Sequence, residues 1–520
     1  MPPRPLTRED TTKLAILAAI AGPVIGWGTG VGLTETVPKA HAIGPLVQLM
    51  AATPDKPVLL AGAGLGLVAG LAAAWFISRP RAATFAGAAF KRHLRGTVAA
   101  SAAELARRTT ERGARQITIA GIPLPTDAEN LNVLMVGAIG AGKSTLISEM
   151  ALGALKRGDK LIVLDPDGAM LSKFFCKGDV ILNPNDHRSE GWSFFNEIRN
   201  DYDFARLAKS IVPLGQTKEG EEWNRYGRLL LREVARKLHD LGTPSVEELY
   251  QWTSNRNWES LLGFVKATDA EALFTGSSEA SKAMTSARFV LSGSLDAHRK
   301  MPKGEFSLRA WLRDETPSTL WITWTASQAE ELRPLISAWT DILLAEILDM
   351  PEDLQRRIWF FIDELGNLDR LNTLENGIAM GRKRGLSIVA GLQSVAQLAK
   401  IYGREGATIL RSCFNTLVVL RTAKGDIETP KDLSAALGDH EVERVRESES
   451  SGGRGSGSSR QTVHEREAVV TAGEIARLPK LTGYISIPGE FPLARFKAKY
   501  RNYPDRVPPI ANPPAGRARR

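Results

Sequence analysis

Leu131-Asn132-Val133-Leu134-Met135-Val136-Gly137-Ala138-Ile139-Gly140-Ala141-Gly142-Lys143-Ser144-Thr145 reads as an apolar strand that breaks into a glycine-rich turn and opens a helix at Leu146. From Gly137 the run fits G-x-x-x-x-G-K-[ST], and the strand before it and the helix after it are the context that pattern needs. Glycines let the backbone curve tightly, so that amide N–H groups converge on phosphate oxygens where the helix begins. Gly137, Gly140, Ala141, Gly142, Lys143, Ser144 and Thr145 are therefore the expected phosphate-binding residues, with Lys143 on the outer phosphates and Ser144 on Mg²⁺. The ligand this implies is ATP with Mg²⁺.

A second strand supports the first. Ile358-Trp359-Phe360-Phe361-Ile362 runs into Asp363 and Glu364. In phosphate-loop enzymes the first such acid holds Mg²⁺ through water, and the second polarises the attacking water. Gln393, in Gly391-Leu392-Gln393-Ser394 after another apolar run, is placed to sense the terminal phosphate. Arg382, in Met380-Gly381-Arg382-Lys383-Arg384-Gly385, is the first choice for an arginine finger acting on a neighbour's ATP, and Arg384 the second.

The chain has 520 residues, 43% of them hydrophobic, enough for two to four domains at about 150 residues each. Its 67 Lys and Arg against 58 Asp and Glu give a net charge of +9, compatible with nucleic acid or anionic lipid but thinly spread over this length. Cys176 and Cys413 stand far apart, so neither a disulfide framework nor a cysteine metal site is indicated, in keeping with a reducing compartment.

Two uncharged stretches open the chain, at about 14–33 and 57–78, each long enough to cross roughly 30 Å of hydrocarbon as a helix. Gly62, Gly64, Gly66 and Gly70 permit close helix approach, and a two-span hairpin follows. Arg4, Arg8 and Lys13 precede the first span, and Arg79, Arg81, Lys91, Arg92 and Arg95 follow the second, whereas only Lys39 and Lys56 lie between. Both ends are thus expected on the cytoplasmic side. Glu9 and Asp10 in the first flank, with a second span behind, argue against a cleaved leader. The basic run from Arg79 to Arg115 is read as an anchor beside anionic headgroups.

Beyond Ile117 the pattern is α/β: strands at Lys160–Asp165, Asp179–Leu182, Thr319–Trp324, the Asp363 strand, Ser387–Leu392 and Asn415–Leu420 alternate with helical segments. Continuous apolar strands of this kind form a predominantly parallel sheet, with the ligand at the strand carboxyl ends. From Glu197 to about Trp311 strand signals give way to helical periodicity, as in Tyr226–Leu238, which predicts a helical insertion. Glu447–Gln461, rich in Ser and Gly and without apolar anchors, is expected as a mobile loop. Tyr484–Phe491 looks like a hairpin, and Arg495, Lys497, Lys499 and Arg501 follow at period two. That face is either a phosphate-contacting surface or a solvated strand edge protected by charge. Trp223, in a helical stretch, is a base-stacking candidate, though such a residue is more often core.

These residues carry a family resemblance. The two-span hairpin, the phosphate loop, Asp165-Pro166-Asp167-Gly168, Leu182-Asn183-Pro184, Gly191-Trp192-Ser193-Phe194-Phe195-Asn196, the insertion opening at Asn196-Glu197-Ile198, Phe361-Ile362-Asp363-Glu364-Leu365, Gly391-Leu392-Gln393-Ser394 and Gly438-Asp439-His440 together resemble the type IV secretion coupling proteins. The likeness is strongest to the TrwB branch, more distant to TraD, and runs from about Leu131 through Pro479.

The resemblance implies a RecA-like nucleotide-binding domain over 81–196 and 311–520, an all-α domain over 197–310 and a membrane anchor over 1–80, with 447–461 as the loop. It further implies a ring-shaped homo-hexamer at the bacterial inner membrane that hydrolyses ATP to pump single-stranded DNA during plasmid conjugation. Implied partners are single- and double-stranded DNA bound without sequence preference, the relaxase and relaxosome, and inner-membrane components of the secretion channel. On that basis Lys143 and Ser144 carry phosphate and Mg²⁺, Asp363 and Glu364 support metal and hydrolysis, and Gln393 couples nucleotide state to DNA. An FtsK-like DNA translocase and a receptor that binds ATP without pumping are the alternatives. An ABC transporter ATPase, suggested by Leu291-Ser292-Gly293-Ser294, is disfavoured because that stretch lies too far before Asp363 and two spans make no transport pathway.

Overall fold

The two apolar stretches fold as helices α1, Arg8–Thr34, and α2, Pro57–Ser78. Within them Leu14–Leu33 and Pro57–Trp75 are long and apolar enough to cross a membrane. The helices run antiparallel with small residues facing each other. A Cβ added to Gly26 would stand 2.2 Å from the Gly62 carbonyl oxygen, and one on Gly66 would stand 2.1 Å from that of Gly22. Backbones this close are what glycine at four-residue spacing allows, and dispersion across that seam holds such a pair together where hydrocarbon removes the hydrophobic drive. Gly64 meets nothing within 4 Å and lies off the seam.

The computed structural model describes residues 8–34, 50–51, 53–78, 90, 92–212, 214–215, 217–274, 278–368, 370–371, 373–452 and 455–511. The chain divides into two compact units. One contains 1–96 and 440–467, the other 97–439 and 468–520.

Besides α1 and α2, the first unit holds a three-stranded sheet in the order Arg92–Gly96, Asp439–Gly452, Gly455–Ala468. This differs from the expected mobile loop: the backbone of the Ser/Gly segment lies in strands up to Gly452 and again from Gly455, with 453–454 outside the described residues. Beside that segment, at the base of the ladder, cross-strand charge ties the strands together. Arg444 pairs with Glu465 at 2.8 Å and Glu467 at 2.7 Å, His440 approaches Glu467 at 3.1 Å, and Arg95 pairs with Glu441. Val442 is buried among them.

The second unit is built on a ten-stranded sheet. Its strands are β1 (Ala99–Ser101), β2 (Val133–Val136), β3 (Lys160–Pro166), β4 (Val180–Leu182), β5 (Thr319–Trp324), β6 (Ile358–Ile362), β7 (Leu386–Leu392), β8 (Thr416–Leu420), β9 (Thr482–Ser486) and β10 (Leu493–Lys497). In space the order is β1-β10-β9-β8-β2-β7-β6-β3-β5-β4. From β8 to β4 every neighbour is parallel; β9 and β10 form an antiparallel hairpin on that edge, and β1 adds parallel to β10. Every residue of β2, β5, β6 and β7 is buried, as strands covered on both faces must be. Alternate residues Val133, Met135, Leu161, Val163, Phe361 and Val389 face helix α3, Lys143–Arg157, which buries Leu146, Ile147, Met150 and Ala154 against them. Gly158 closes α3 in the left-handed conformation.

Between β4 and β5 the described residues contain no strand. The long helices are α4 (Asp201–Ile211), α5 (Lys218–Asp240) and α6 (Ser278–Arg299). The chain leaves and re-enters the sheet at one neck, where Trp192 forms a bridge with Phe306 and the Asn196 side-chain amide donates to the carbonyls of Gly304 and Phe306 at 3.0 and 2.9 Å. Of the four period-two cations, only Arg495 and Lys497 lie in a strand, β10; all four are exposed.

Candidate functional site

The parallel register sets the site. Leu134 pairs with Ala390, and Val389 with Phe361, so β2, β7 and β6 end together. Three chain segments remote in sequence therefore deliver their next residues to one place: the phosphate loop after β2, Asp363 and Glu364 after β6, and Gln393 after β7. Gly391 allows this convergence. A Cβ there would stand 2.0 Å from the Asp363 carbonyl oxygen, so only glycine fits.

The loop itself is held from outside. The Gly137 N–H donates to the Leu392 carbonyl at 3.0 Å, and that of Ala138 to Arg421 at 2.7 Å. Ala141 accepts from the Leu481 N–H at 2.9 Å. Gly140 and Gly142 take positive φ, 72° and 126°. Among the described residues the N–H groups of Ile139, Gly140 and Gly142 make no hydrogen bond, which leaves the inside of the loop to an anion.

Inside the site Lys143 is buried and its ammonium donates to the Gly137 carbonyl at 2.6 Å. Burial lowers its pKa, opposed by the charges of Glu364 and Asp363. The Ser144 hydroxyl donates to the Asp363 carboxylate, 2.9 and 3.1 Å from its two oxygens. Burial raises the pKa of Asp363, against the Ser144 hydrogen bond and Lys143. Glu364 is likewise pushed up by burial, against Lys143 and a side-chain hydrogen bond from Gln393. Glu364 Oε1 is the one buried carboxylate oxygen among the described residues with no hydrogen-bond partner. Thr145 is half-buried behind Ser144.

One lysine, one hydroxyl, two acids, one amide and a ring of free N–H groups form a donor set suited to a triphosphate and a hard, oxygen-seeking cation. The orphaned Glu364 oxygen has the same implication: a buried polar atom without a partner is costly unless a ligand or water meets it.

The arginines lie apart from this cluster. Arg384 spends its guanidinium on the carbonyls of Met350 and Met380, at 3.1 and 3.2 Å. Arg382 is exposed and has no side-chain partner among the described residues. Trp223 on α5 is 50% exposed.

Four further residues shape the site beyond those assigned a role in it from the sequence. Gln397 accepts from the N–H groups of Gln393 and Ser394, both at 3.3 Å, and completes a capping box on helix α7, Val395–Ser412. Ser394-x-x-Gln397 is the legible signature of that cap. Leu481, just before β9, and Arg421, just after β8, brace the phosphate loop through their main chains and carry no local signal. Asp165, at the end of β3, is fully buried and accepts from the N–H groups of Met170 and Leu171 at 2.9 and 2.7 Å. Burial pushes it up to about 7, with a further contribution from the Asp363 charge.

Comparison with known proteins decides the family. Residues 116–499 match the type IV secretion-system coupling protein DNA-binding domain. The chain belongs to the type IV secretion-system coupling proteins. Unbound TrwB lacking its first segment is 50% identical, with a TM-score of 0.79, covering 83% of this chain and 99% of that one. A TrwB structure described as a complex with ADP and Mg²⁺ is 49% identical, with a TM-score of 0.77, covering 82% of this chain and all of that one. TraD of Escherichia coli K12 is 32% identical over 404 residues, 75% of this chain and 56% of TraD. The chain thus spans little more than half of TraD's length. Within the family the fold is of the TrwB branch, a RecA-like α/β nucleotide-binding sheet with an apolar helical hairpin before it.

Proposed function

We propose that the chain is an ATP-driven DNA pump of bacterial conjugation, working as a homo-hexamer on the inner membrane. The observation that carries this reading is the convergence of Lys143, Ser144, Asp363, Glu364 and Gln393 on one site in a chain of the coupling-protein family. TrwB solved with ADP and Mg²⁺ supports the same ligands here.

In this reading Gly137–Gly142 and Lys143 hold the phosphates, Thr145 backs the loop, and Ser144 with Asp363, the latter through water, holds Mg²⁺. The metal, when bound, neutralises charge developing on the transferred phosphoryl group. Glu364 takes the proton of the attacking water, and its raised pKa brings it nearer to neutrality, where a base works best. Gln393 links Glu364 to α7, so loss of the terminal phosphate is felt beyond the site. Arg382, exposed and uncommitted, is the finger offered to a neighbouring subunit, a role Arg384 cannot share while it caps two carbonyls.

The helices α1 and α2 anchor the ring, with both chain ends in the cytoplasm by the distribution of Arg and Lys around them. DNA, single- or double-stranded, is gripped through its phosphates without base readout. The relaxase-bound strand is handed to the inner-membrane part of the secretion channel. The test is ATP turnover by the full chain in detergent, with and without single-stranded DNA. Strong stimulation that fades as salt rises is expected. Turnover that ignores DNA at low salt, or nucleotide binding with no phosphate release, would leave a receptor and not a pump.

A further inference from the structure

The chain's last described residues, Tyr503–Ala511, follow the final strand but do not leave the fold. Tyr503 packs edge-on against Phe174, ring centres 5.0 Å apart. Asp505 accepts from the Ser172 hydroxyl at 2.9 Å, and the N–H groups of Arg506 and Val507 donate to the Ser172 carbonyl at 2.6 and 3.2 Å. Further on, Arg188 donates to the carbonyls of Pro508 and Pro509 at 2.9 and 3.4 Å. Ala511 is held at both ends: its N–H donates to Asp186 at 3.1 Å, and its carbonyl accepts from the His187 N–H at 3.0 Å. Pro504, Pro508 and Pro509 stiffen this segment, so little entropy is lost in laying it down.

Its two footings are the segment after β3 and the loop after β4. Between them lies the turn Asp165-Pro166-Asp167-Gly168. Asp167 and Gly168 are both left-handed, φ 62° and 65°, a strained pair for which Asp167 must be held. A Cβ on Gly168 would stand 2.3 Å from the Pro509 carbonyl oxygen, so the strap lies directly on the turn. Leu164 pairs with Ile362, which makes Asp165 and Asp363 the next residues on adjacent strands. Whatever fixes the turn therefore fixes the acid beside the proposed Mg²⁺ ligand.

We propose that Tyr503–Ala511 is a strap that positions the Asp165 turn, and through it the Asp363 side of the nucleotide site. The inference rests on the nucleotide reading given above. Residues 503–511 are then part of the machinery for Mg²⁺-nucleotide, acting through Asp165 and touching no ligand themselves.

Two shortened full-membrane chains separate strap from tail, one ending at Asn502 and one at Ala511. Calorimetric titration with ADP, with and without Mg²⁺, is the first measurement. The chain ending at Ala511 is expected to match the full chain within about twofold. The chain ending at Asn502, and the full-length Gly168→Ala variant that forces the strap away, should bind bare ADP normally but lose five- to tenfold of the tightening that Mg²⁺ brings. Unchanged tightening in both overturns the strap, as does an equal loss in the chain ending at Ala511. If the chain ending at Asn502 fails to fold, Gly168→Ala decides. Hydrogen exchange reads the same contrast without nucleotide: amides of 168–174 should exchange at least tenfold faster once the strap is displaced, and unchanged exchange overturns the proposal. A full chain that binds no ADP would instead overturn the nucleotide reading and leave the exchange result standing.

Discussion

Two groups of buried carboxylates in the second unit differ in what the fold gives them as partners. At the neck of the helical insertion Glu197 accepts from Trp192, Ser307, Leu308 and Arg309, which oppose the burial that pushes its pKa up. Asp203 takes Arg309 at 2.7 Å and two backbone N–H groups, and these outweigh burial to hold its pKa below the usual carboxylate range. Glu346, on the long helix Ala329–Asp349, meets Arg199 at 3.2 Å, Arg309 at 3.3 Å and Arg313. At the carboxyl ends of β3 and β6, Asp165, Asp363 and Glu364 crowd together, with Lys143 acting on Asp363 and Glu364 and Lys173 on Asp165, and all three are pushed upward by burial. The neck's acids are partnered by the chain itself. Among the site's acids Glu364 keeps a buried oxygen without a partner, and buried acids left short in this way mark where a ligand belongs.

The largest expected effect tests the under-partnered end. Glu364→Gln should lower ATP turnover by about 10²- to 10⁴-fold, the usual worth of a positioned base. It should leave the unfolding midpoint of the nucleotide-free chain unchanged or raised, because it removes a buried acid without removing a cation. A fall in stability comparable to that of a neck mutation would break the contrast.

Next in size is the neck. Arg309→Met strands Asp203 and takes one of three guanidinium groups from Glu346, and breaking a buried pair from one side costs about 3–5 kcal/mol. Denaturant unfolding measures it, and a loss under about 1 kcal/mol would mean that the neck's charges are as loosely held as surface pairs.

Much of this architecture was legible because buried parallel strands are continuous apolar runs. Thr319–Trp324 is found where it was expected, and Lys160–Pro166, Leu386–Leu392 and Thr416–Leu420 depart by a single residue. The phosphate loop and the Asp363-Glu364 pair were legible for the same local reason: their chemistry is written in consecutive residues. Strand order was not, since β2 is flanked by β7 and β8, which lie some 250 residues or more further along the chain. β1 is three small residues that become a strand because Leu493 pairs with Ala99. The Ser/Gly segment lies in strands that continue from the flanking residues 439–444 and 465–468, where the cross-strand charge is, a pattern that apolar periodicity cannot reveal. Nor do the strap's carbonyl contacts leave any mark in the sequence: Arg188 and Pro508 are paired only by the fold.

The smallest effect is a slope. Asp165 titrates near 4 when unfolded and at about 7 in the fold, with Asp363 raising it and the N–H groups of Met170 and Leu171, with Lys173 behind them, pulling it down. An acid raised by folding keeps its proton in the native state while the unfolded chain has already released it. Its contribution to the stability of the nucleotide-free protein is then fully present below about pH 4, declines as pH rises towards 7, and is gone beyond. Asp165→Asn preserves an acceptor for the two N–H groups and removes the titration, so thermal midpoints across that window should decline less steeply than in the parent chain. Asp203 at the neck supplies the opposite sign. Asp203, held low, contributes stability above its unfolded pKa that is lost as pH falls, so Asp203→Asn should weaken the loss on the acid side and leave the slope towards pH 7 alone. Parallel slopes in the two variants would mean that the two groups of buried acids do not differ after all.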